Sequence, residues 1–405
     1  MNELTSTSQL RAGHELQLLQ GSAAFFDALN QALDASVREI RLETYILDAH
    51  GSGERVVKAL IRAAVRGVSV YLVVDGVGTP ALPPLWADQL TSSGVQWRIF
   101  APLGRLGLLV PSRWRRLHRK LCVVDGWVAF CGGINLLDDW FDPNHGDLHA
   151  PRFDFAVRVC GPLVHDVHVT MSQFWWRLQA ATLAKEVDWH GAWEALQQAV
   201  QEARSHITVE LSAGSAQAEL VLRDNLRFRT RIERAYRQAL SDARHDIILA
   251  NAYFLPGRKI RKSLIHAAQR GVRVRLLLQG RYEYFMQYHA AHALYARLLD
   301  AGIEIYEYTP SFLHAKVAVV DGRWSTVGSS NMDPLSLLLA REANVVIQDA
   351  KFSSNLEQAL VSAMEHNAHR VNASQHAQRG LRLKVFEAVA YMLMRVLLFL
   401  NGKRY

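Results

Sequence analysis

The 405-residue sequence has few cysteines, and their spacing excludes a disulfide framework. Cys122, Cys131 and Cys160 form no C-x-x-C pair, and an odd number cannot all be paired within one chain. Cys122 and Cys131 lie in apolar runs typical of strands. We therefore predict three buried thiols in a reducing compartment, without a catalytic or metal-binding role.

Long apolar runs are also missing. No stretch of about 18 uncharged apolar residues occurs, and Glu387 and Arg395 interrupt the nearest candidate, residues 386–400. The first 20 residues have no basic segment followed by an apolar one, so no secretory signal is expected. The histidines outside the motifs described below lack metal-ligand spacing: His149, His165, His168 and His289.

The composition is that of a folded protein with an anionic partner. Half of the residues are hydrophobic and 21% are charged, which permits a sizeable core. The formal net charge is +8, which favours nucleic acid, acidic lipid headgroups or a phosphorylated substrate without choosing among them.

The chain contains an internal repeat, which indicates two related lobes. The matching pairs of segments are 39–48 with 246–255, 59–76 with 263–280, 93–100 with 301–308, and 117–138 with 313–334. Helices alternate with buried-type strands in each copy, which predicts an α/β fold with a mixed sheet in each lobe. The expected divisions are a first lobe at 1–184, a connection at 185–216, a second lobe at 217–370 and a basic tail at 371–405.

Each copy contains one His-x-Lys-x4-Asp pattern, and these are the candidate catalytic residues. They are His118, Lys120 and Asp125 in the first copy and His314, Lys316 and Asp321 in the second. Side chains two apart on a strand point to the same side, so each imidazole and ammonium should share one cleft.

These side chains suit a phosphodiester substrate. Near neutral pH an imidazole can attack phosphorus or donate a proton, and lysines can neutralise the non-bridging oxygens. Two copies supply one nucleophile and one general acid, which predicts a phosphohistidine intermediate without a metal or other cofactor. A turn after each motif adds hydrogen-bond donors: Asn135 in the first copy and Ser329, Ser330 and Asn331 in the second.

The paired motifs closely resemble the HKD motifs of the phospholipase D superfamily, over about residues 15–365. The runs ETYIL, NAYFLPG, HRKLCVVDG, GGIN, HAKVAVVDG and GSSNMDPLS look most like bacterial cardiolipin synthases of the short B type. The resemblance implies a bilobal α/β fold with one active site at the lobe interface. It also implies that phosphatidylglycerol gives its phosphatidyl group to a histidine and then to a second lipid alcohol, with release of glycerol.

The resemblance further implies individual roles. In the superfamily the motif aspartates are mostly structural, and a carboxylate farther along the chain orients each histidine. Asp154 and Glu342 match those carboxylates, because 152–159 aligns with 340–347. By the resemblance Glu342 orients His118, the expected nucleophile, and Asp154 orients the general acid His314.

Three segments bear on membrane contact. The first copy carries 12 additional residues before its motif, where Leu106, Leu108, Leu109 and Val110 precede Arg113, Arg115, Arg116 and Arg119. This favours an interfacial contact, with a buried lid as the alternative. The aromatic triplet 174–176 is expected in the core, with interfacial anchoring as the minor alternative.

The third segment is the C-terminal tail, which has the pattern of an amphipathic helix. Its apolar face comprises Val385, Val389, Met392, Leu393, Val396, Leu397 and Leu400, and its other side Lys384, Glu387, Tyr391 and Arg395. Such a helix could lie in the membrane plane, with packing against the enzyme body as the alternative.

The resulting expectation is a monomeric cardiolipin synthase, peripheral to the cytoplasmic side of a cell inner membrane. Its partners would be anionic phospholipid, especially phosphatidylglycerol, and the membrane surface, with no nucleic acid. Three alternatives stay open: hydrolysis of phospholipid to phosphatidic acid, a phospholipase D-type nuclease, and lipid binding without catalysis. Duplicated, complete motifs in one chain count against the last two.

Overall fold

The computed structural model describes residues 10–400, apart from 49, 105–106, 108–113, 143–144, 205–213, 225–227, 229, 283–284 and 334–339. The first half of the chain alternates strands and helices. Its strands are β1 (Arg11–Gln20), β2 (Glu39–Thr44), β3 (Ser69–Asp75), β4 (Gln96–Phe100), β5 (Arg116–Leu117), β6 (Lys120–Val124), β7 (Val128–Gly132), β8 (Phe141–Asp142), β9 (Gly146–Asp147) and β10 (Phe155–Cys160). Its helices are α1 (Gly21–Asp34), α2 (Gly51–Val65), α3 (Pro84–Ser92), α4 (Leu163–Lys185) and α5 (Trp189–Arg204).

The second half repeats this order and adds a C-terminal helical segment. Its strands are β11 (Ala216–Arg223), β12 (Asp246–Asn251), β13 (Arg273–Gln279), β14 (Glu304–Tyr308), β15 (Lys316–Val320), β16 (Trp324–Gly328), β17 (Ala340–Gln348) and β18 (Ala368–Arg370). Its helices are α6 (Arg231–Asp242), α7 (Arg258–Gln269), α8 (Phe285–Asp300), α9 (Ala350–His366), α10 (Ala373–Ala377) and α11 (Leu381–Leu400).

The repeat seen in the sequence is a repeat of topology. One lobe has the strand order β1-β10-β7-β6-β2-β3-β4, and the other has β11-β17-β16-β15-β12-β13-β14. Both sheets are mixed, with parallel pairs β2–β3–β4 and β12–β13–β14 and antiparallel pairs elsewhere on these two paths. Corresponding helices end at the same Arg-Gly step, where Gly67 and Gly271 have φ of 91° and 87°. These findings confirm the predicted α/β fold with two pseudo-symmetric lobes.

The two lobes share one sheet and one core. β1 pairs with β11, which joins the sheets edge to edge, and apolar side chains of both lobes form a common buried cluster. Val123 and Val157 of the first lobe belong to this cluster together with Val317 and Val345 of the second. A further buried cluster lies under the outer helices of the first lobe, and another lies under those of the second. The interface between the lobes is therefore fixed by core packing, which fixes any site built across it.

The burial of individual side chains agrees with the sequence expectations in part. All three cysteines are free and buried, as predicted. Phe174 and Trp175 are buried and Trp176 is partly buried, so the core interpretation holds for the first two residues of the aromatic triplet and in part for the third. Residues 105–106 and 108–113 of the additional segment lie outside the described residues. No helix in the described part of the chain is long and apolar enough to span a bilayer.

Candidate active site

The first motif histidine is held against the second lobe. Strand β5 pairs in parallel with the start of β17, and the His118 N–H donates to the carbonyl of Arg341 at 3.0 Å. The next residue on β17 is Glu342, whose side chain is fully buried and whose carboxylate lies 3.0 Å from His118 Nδ1. The strand that brings in the histidine thus also brings in its carboxylate.

The second motif repeats this arrangement in the opposite direction. Leu313 forms a parallel bridge with Phe153 of the first lobe, and the His314 N–H donates to the carbonyl of Phe153 at 2.9 Å. His314 Nδ1 then lies 2.6 Å from Asp154 Oδ2. Each imidazole therefore contacts a carboxylate of the other lobe. When neutral, each ring donates its Nδ1–H to that carboxylate and keeps a lone pair on Nε2.

The two motif lysines lie beside the histidines at the starts of β6 and β15. Lys120 and Lys316 are 5% and 0% exposed, and each Nζ donates to the carbonyl of its own motif histidine. Burial and the nearby charge of Lys316 lower the pKa of Lys120 to about 7. Two buried ammonium groups near enough to affect each other's charge form a site for an anion.

The same surroundings govern the imidazoles. Burial lowers the pKa of His118, and Glu342 opposes that shift while Lys120 and Lys316 add to it. Burial and the charges of both lysines hold the pKa of His314 well below its usual value. Both rings are consequently neutral near pH 7 until an anion enters. Burial also raises the pKa of Asp154 to about 6, despite the opposing charge of Lys316.

The turns after the motifs form hydrogen bonds that fix neighbouring parts of the site. The Ser329 hydroxyl donates to the Glu342 carboxylate and accepts from the Ala343 N–H at 3.1 Å. Ser330 and Asn331 are buried in the same turn. In the first lobe Asn135 Oδ1 accepts from the Ile46 N–H at 3.3 Å.

The turns differ between lobes for a steric reason. Gly133 occupies the position of Ser329, and a Cβ there would lie 2.3 Å from Asp154 Oδ1. Asp154 instead accepts from the adjacent Phe155 N–H at 2.8 Å. The second lobe thus combines glutamate with a serine hydroxyl, and the first combines the shorter aspartate with a bare glycine.

The motif aspartates are not part of this cluster. Asp125 and Asp321 follow the far ends of β6 and β15, in hairpin turns where their φ values are 54° and 51°. The Asp125 carboxylate accepts from the N–H groups of residues 37, 38 and 39. The Asp321 carboxylate accepts from those of residues 244, 245 and 246. Both fasten a hairpin to the strand beside it.

Two residues at the site, Tyr45 and Asp75, were absent from the sequence interpretation. The Tyr45 ring lies 5.0 Å from the His118 ring and 5.5 Å from Lys120 Nζ. Asp75 accepts from the Leu117 N–H at 2.7 Å and so fixes the strand that leads to His118. Tyr45 lies within the run ETYIL, so its position in the repeat, at the end of β2, was the available signal.

The expected basic cluster beside the additional segment is corrected in part. Arg119 is buried, pairs with Glu43 and lies over the Phe174 ring. Arg116 is mostly buried and lies 3.2 Å from Asp75. These two guanidinium groups hold the site together from within, so they do not belong to a headgroup-binding surface. Arg115 is exposed, and the other members of the expected cluster lie outside the described residues.

Two imidazoles, two buried ammonium groups and two crossed carboxylates on this bilobal α/β fold define a phosphodiester-transferring enzyme of the phospholipase D type. A family model described as cardiolipin synthase, PLD-like domain, matches residues 29–148 and 236–364. Cardiolipin synthase B of Salmonella typhi is 38% identical over 371 residues, 91% of this chain and 85% of that protein. Cardiolipin synthase B of Escherichia coli K12 is 35% identical over 380 residues, with the same coverage.

Solved structures agree on the fold. Phosphatidylserine synthase of Haemophilus influenzae Rd KW20 superposes with a TM-score of 0.69 at 10% identity, over 96% of this chain and 97% of that one. Polyphosphate kinase of Porphyromonas gingivalis gives 0.56 at 13% identity, over 95% and 53% of the two chains. The chain belongs to the cardiolipin synthase family of phospholipase D-like enzymes, which makes it a phosphatidyltransferase.

Proposed function

We propose that this enzyme makes cardiolipin from two lipid alcohols by double displacement at His118 and His314, with phosphatidylglycerol as the donor. The crossed His–carboxylate pairs carry the proposal, because they leave both Nε2 atoms available beside two buried lysines. A complete pair of motifs in one chain fits a monomer.

In the first displacement His118 Nε2 attacks phosphorus, and the bond from phosphorus to the glycerol headgroup breaks. The leaving oxygen takes a proton from His314, and glycerol departs. In the second, the hydroxyl of another lipid gives its proton back to His314 and attacks phosphorus, so the bond to His118 breaks. Lys120 and Lys316 neutralise the phosphoryl oxygens in both steps.

Each carboxylate supports the role assigned to its histidine. Burial raises the pKa of Asp154 to about 6, so its carboxylate is still ionised at neutral pH and stabilises the imidazolium that His314 must form to act as a general acid. The entering phosphate adds negative charge, which raises the pKa of His314 from its lowered value in the free enzyme. Glu342 is fixed by the Ser329 hydroxyl and orients His118 as a neutral nucleophile.

The test is product formation from phosphatidylglycerol vesicles, resolved by mass. Wild type should yield cardiolipin and glycerol, and His118→Ala and His314→Ala should yield neither. His190→Ala, which removes an exposed imidazole on α5, serves as the matched control. Phosphatidic acid as the sole product would replace transfer by hydrolysis. DNA cleavage without any lipid product would refute the proposal.

The covalent intermediate has a test of its own. With phosphatidylglycerol labelled in its phosphate, we expect acid-labile label on wild type and none on His118→Ala. His314→Ala should retain label on His118 only with a donor whose leaving group needs no proton. Label mapped to residue 314 would reverse the assignment of nucleophile and acid.

We further propose that the enzyme works as a peripheral protein on the cytoplasmic side of the bacterial inner membrane. Both substrates are lipids, and three buried free cysteines suit a reducing compartment.

A further inference from the structure

Helix α11 packs against the enzyme body through the side that lies opposite its predicted apolar face. Glu387, Ala390 and Met394 are buried against the second lobe and form one stripe along the helix. Arg379 holds Glu387 through two hydrogen bonds of 2.7 and 3.0 Å, and Arg261 of α7 donates to the Tyr391 hydroxyl at 3.1 Å. Since these contacts fix the rotation of the helix, they also fix what it presents outward.

The opposite side of α11 is apolar and exposed. Its members, called the outer face, are Val385, Val389, Met392, Leu393 and Val396, with exposures of 54%, 47%, 67%, 49% and 52%. At about 100° per residue these five side chains lie within one arc, centred opposite the packed stripe. A continuous apolar stripe kept in water is costly, and such patches mark interaction surfaces.

Exposed basic side chains surround the outer face. Lys384 and Arg395 lie on the flank of α11, and Arg382 lies within the exposed arc. The neighbouring helix α7 begins with exposed Arg258, Lys259 and Lys262, and Arg261 on the same turn makes the contact with Tyr391. An apolar stripe bordered by cations matches a bilayer with anionic headgroups.

Helix α11 is also joined to the candidate active site. A pocket open to solvent lies between the ends of β12 and β13, helix α8 and Met394 of α11. Its lining residue Ala252 donates its N–H to the Ala315 carbonyl at 3.0 Å, and Gln279 accepts from the Leu313 N–H at 3.1 Å. Residues 313 and 315 flank His314, so two lining residues of the pocket are hydrogen-bonded to the backbone on either side of His314.

We propose that the outer face of α11, together with the basic start of α7, is the surface by which this enzyme docks on an anionic lipid bilayer. Docking would place the pocket, and with it the backbone beside His314, on the side of the enzyme that faces the bilayer. The inference deepens the proposed function and rests on it for the identity of the substrate. The surface itself is testable without turnover.

A second exposed stripe exists but fits an anionic surface less well. Trp189, Trp193 and Leu196 of α5 are 68%, 62% and 43% exposed. Among the described side chains of that helix, the exposed ionisable ones near the stripe are His190 and Glu194, which bring no fixed positive charge. Helix α5 is therefore a competitor that the experiment must include.

The experiment measures binding of the full chain to vesicles of phosphatidylglycerol and phosphatidylcholine, and to vesicles of phosphatidylcholine alone. We expect Val389→Glu/Met392→Glu to weaken binding to the mixed vesicles by about 100-fold, since two apolar side chains no longer enter the lipid. Val65→Glu/Leu85→Glu, on exposed sites of 73% and 64% in the first lobe, should bind as wild type.

Charge reversal tests the basic border separately. Arg258→Glu/Lys262→Glu should lose binding to mixed vesicles by about 10-fold or more, and added salt should weaken the wild type in the same way. Arg55→Glu/Lys58→Glu, also exposed but on α2, is the matched control. Thermal unfolding of every variant checks that the fold is retained. We expect it to be, because all the replaced side chains lie at the surface.

Three outcomes would overturn the proposal. The first is wild-type binding by the Val389→Glu/Met392→Glu variant. The second is loss of binding only in Trp193→Glu, which would assign docking to α5. The third is a wild-type dimer that the α11 variant dissociates without a change in vesicle binding. His118→Ala separates the two claims, since it should bind vesicles fully while producing no cardiolipin.

Discussion

The Glu342 carboxylate lies 3.0 Å from His118 Nδ1, although 224 residues separate the two in the sequence. The contact crosses the lobe interface, as does its counterpart between Asp154 and His314. The two candidate catalytic pairs thus form only when the lobes are packed. Because a shared core holds that interface, the geometry is in place before substrate binds.

This contact predicts a large effect of Glu342→Gln. The amide can donate to Nδ1 and so stabilise the tautomer that places a proton on Nε2, where the nucleophilic lone pair is needed. We expect kcat to fall by about 10²- to 10⁴-fold, with little change in thermal stability. Ser329→Ala, which removes only the hydroxyl that fixes the carboxylate, should cost about 10-fold. Comparable losses in both variants would contradict an orienting role for Glu342.

The lowered pKa of Lys120 predicts a specific pH profile. Its ammonium is charged below about pH 7 in the free enzyme, so kcat/KM should fall above that pH. Asp154 is ionised above about pH 6, so kcat/KM should also fall below it. The lowered pKa of His118 adds no loss between these limits, because the nucleophile is neutral there. His314 must take up a proton before it can act as the acid, so its lowered pKa adds to the fall of kcat/KM at higher pH.

Lys120→Arg should make the alkaline limb less steep, because a guanidinium stays charged throughout this range and only the proton uptake by His314 remains. A bound phosphodiester stabilises the ammonium, so the alkaline limb of wild-type kcat should lie above that of kcat/KM. Rates on a short-chain, monomeric phosphatidylglycerol between pH 5 and 9 provide the check, with Lys58→Arg as the control. An alkaline limb of unchanged steepness in Lys120→Arg would assign it to a group other than Lys120.

Much of this site could be predicted from the sequence, because the repeat and the motif spacing both report on the strands that carry it. The pairing of Asp154 and Glu342 with opposite histidines followed from resemblance alone. Other features depended on three-dimensional packing. Helical periodicity identified which residues of α11 share a face, but the contacts of Glu387 decide which face is buried. Likewise, the sequence placed Arg119 in a basic surface cluster, whereas in the structure it is buried and paired with Glu43.

The motif aspartates should matter for stability more than for turnover. Asp125→Ala and Asp321→Ala each remove the acceptor for three main-chain N–H groups at a left-handed position. We expect each to cost about 1–3 kcal/mol of unfolding free energy, with kcat per folded molecule within about twofold of wild type. Urea unfolding and active-site titration measure the two quantities. A large loss of kcat without loss of stability would return these residues to the catalytic set.

Asp321 also has a predicted pH signature. Hydrogen bonds from three main-chain N–H groups hold its pKa below the usual value, although partial burial opposes them. Its contribution to stability is therefore full above the unfolded pKa of about 3.9 and is lost as the pH falls through the lowered folded value. The difference in unfolding free energy between wild type and Asp321→Asn should accordingly shrink below about pH 4. A difference that stays constant down to pH 2 would contradict this assignment.

The glycine of the first turn gives the sharpest comparison between the lobes. A Cβ at residue 133 would lie 2.3 Å from Asp154 Oδ1, and the Gly133 N–H donates to the Phe155 carbonyl at 3.0 Å, which holds this residue beside β10. Gly133→Ala must therefore displace the Asp154 carboxylate from His314, and we expect kcat to fall by about 10²-fold or more. Ser329→Gly makes the opposite change at the matching position and should cost about 10-fold, since Glu342 still reaches His118. Measured on the same substrate, equal losses would show that the two carboxylates tolerate displacement alike and that the steric argument fails. A Gly133→Ala enzyme with wild-type kcat would show that Asp154 does not need its present position to support His314.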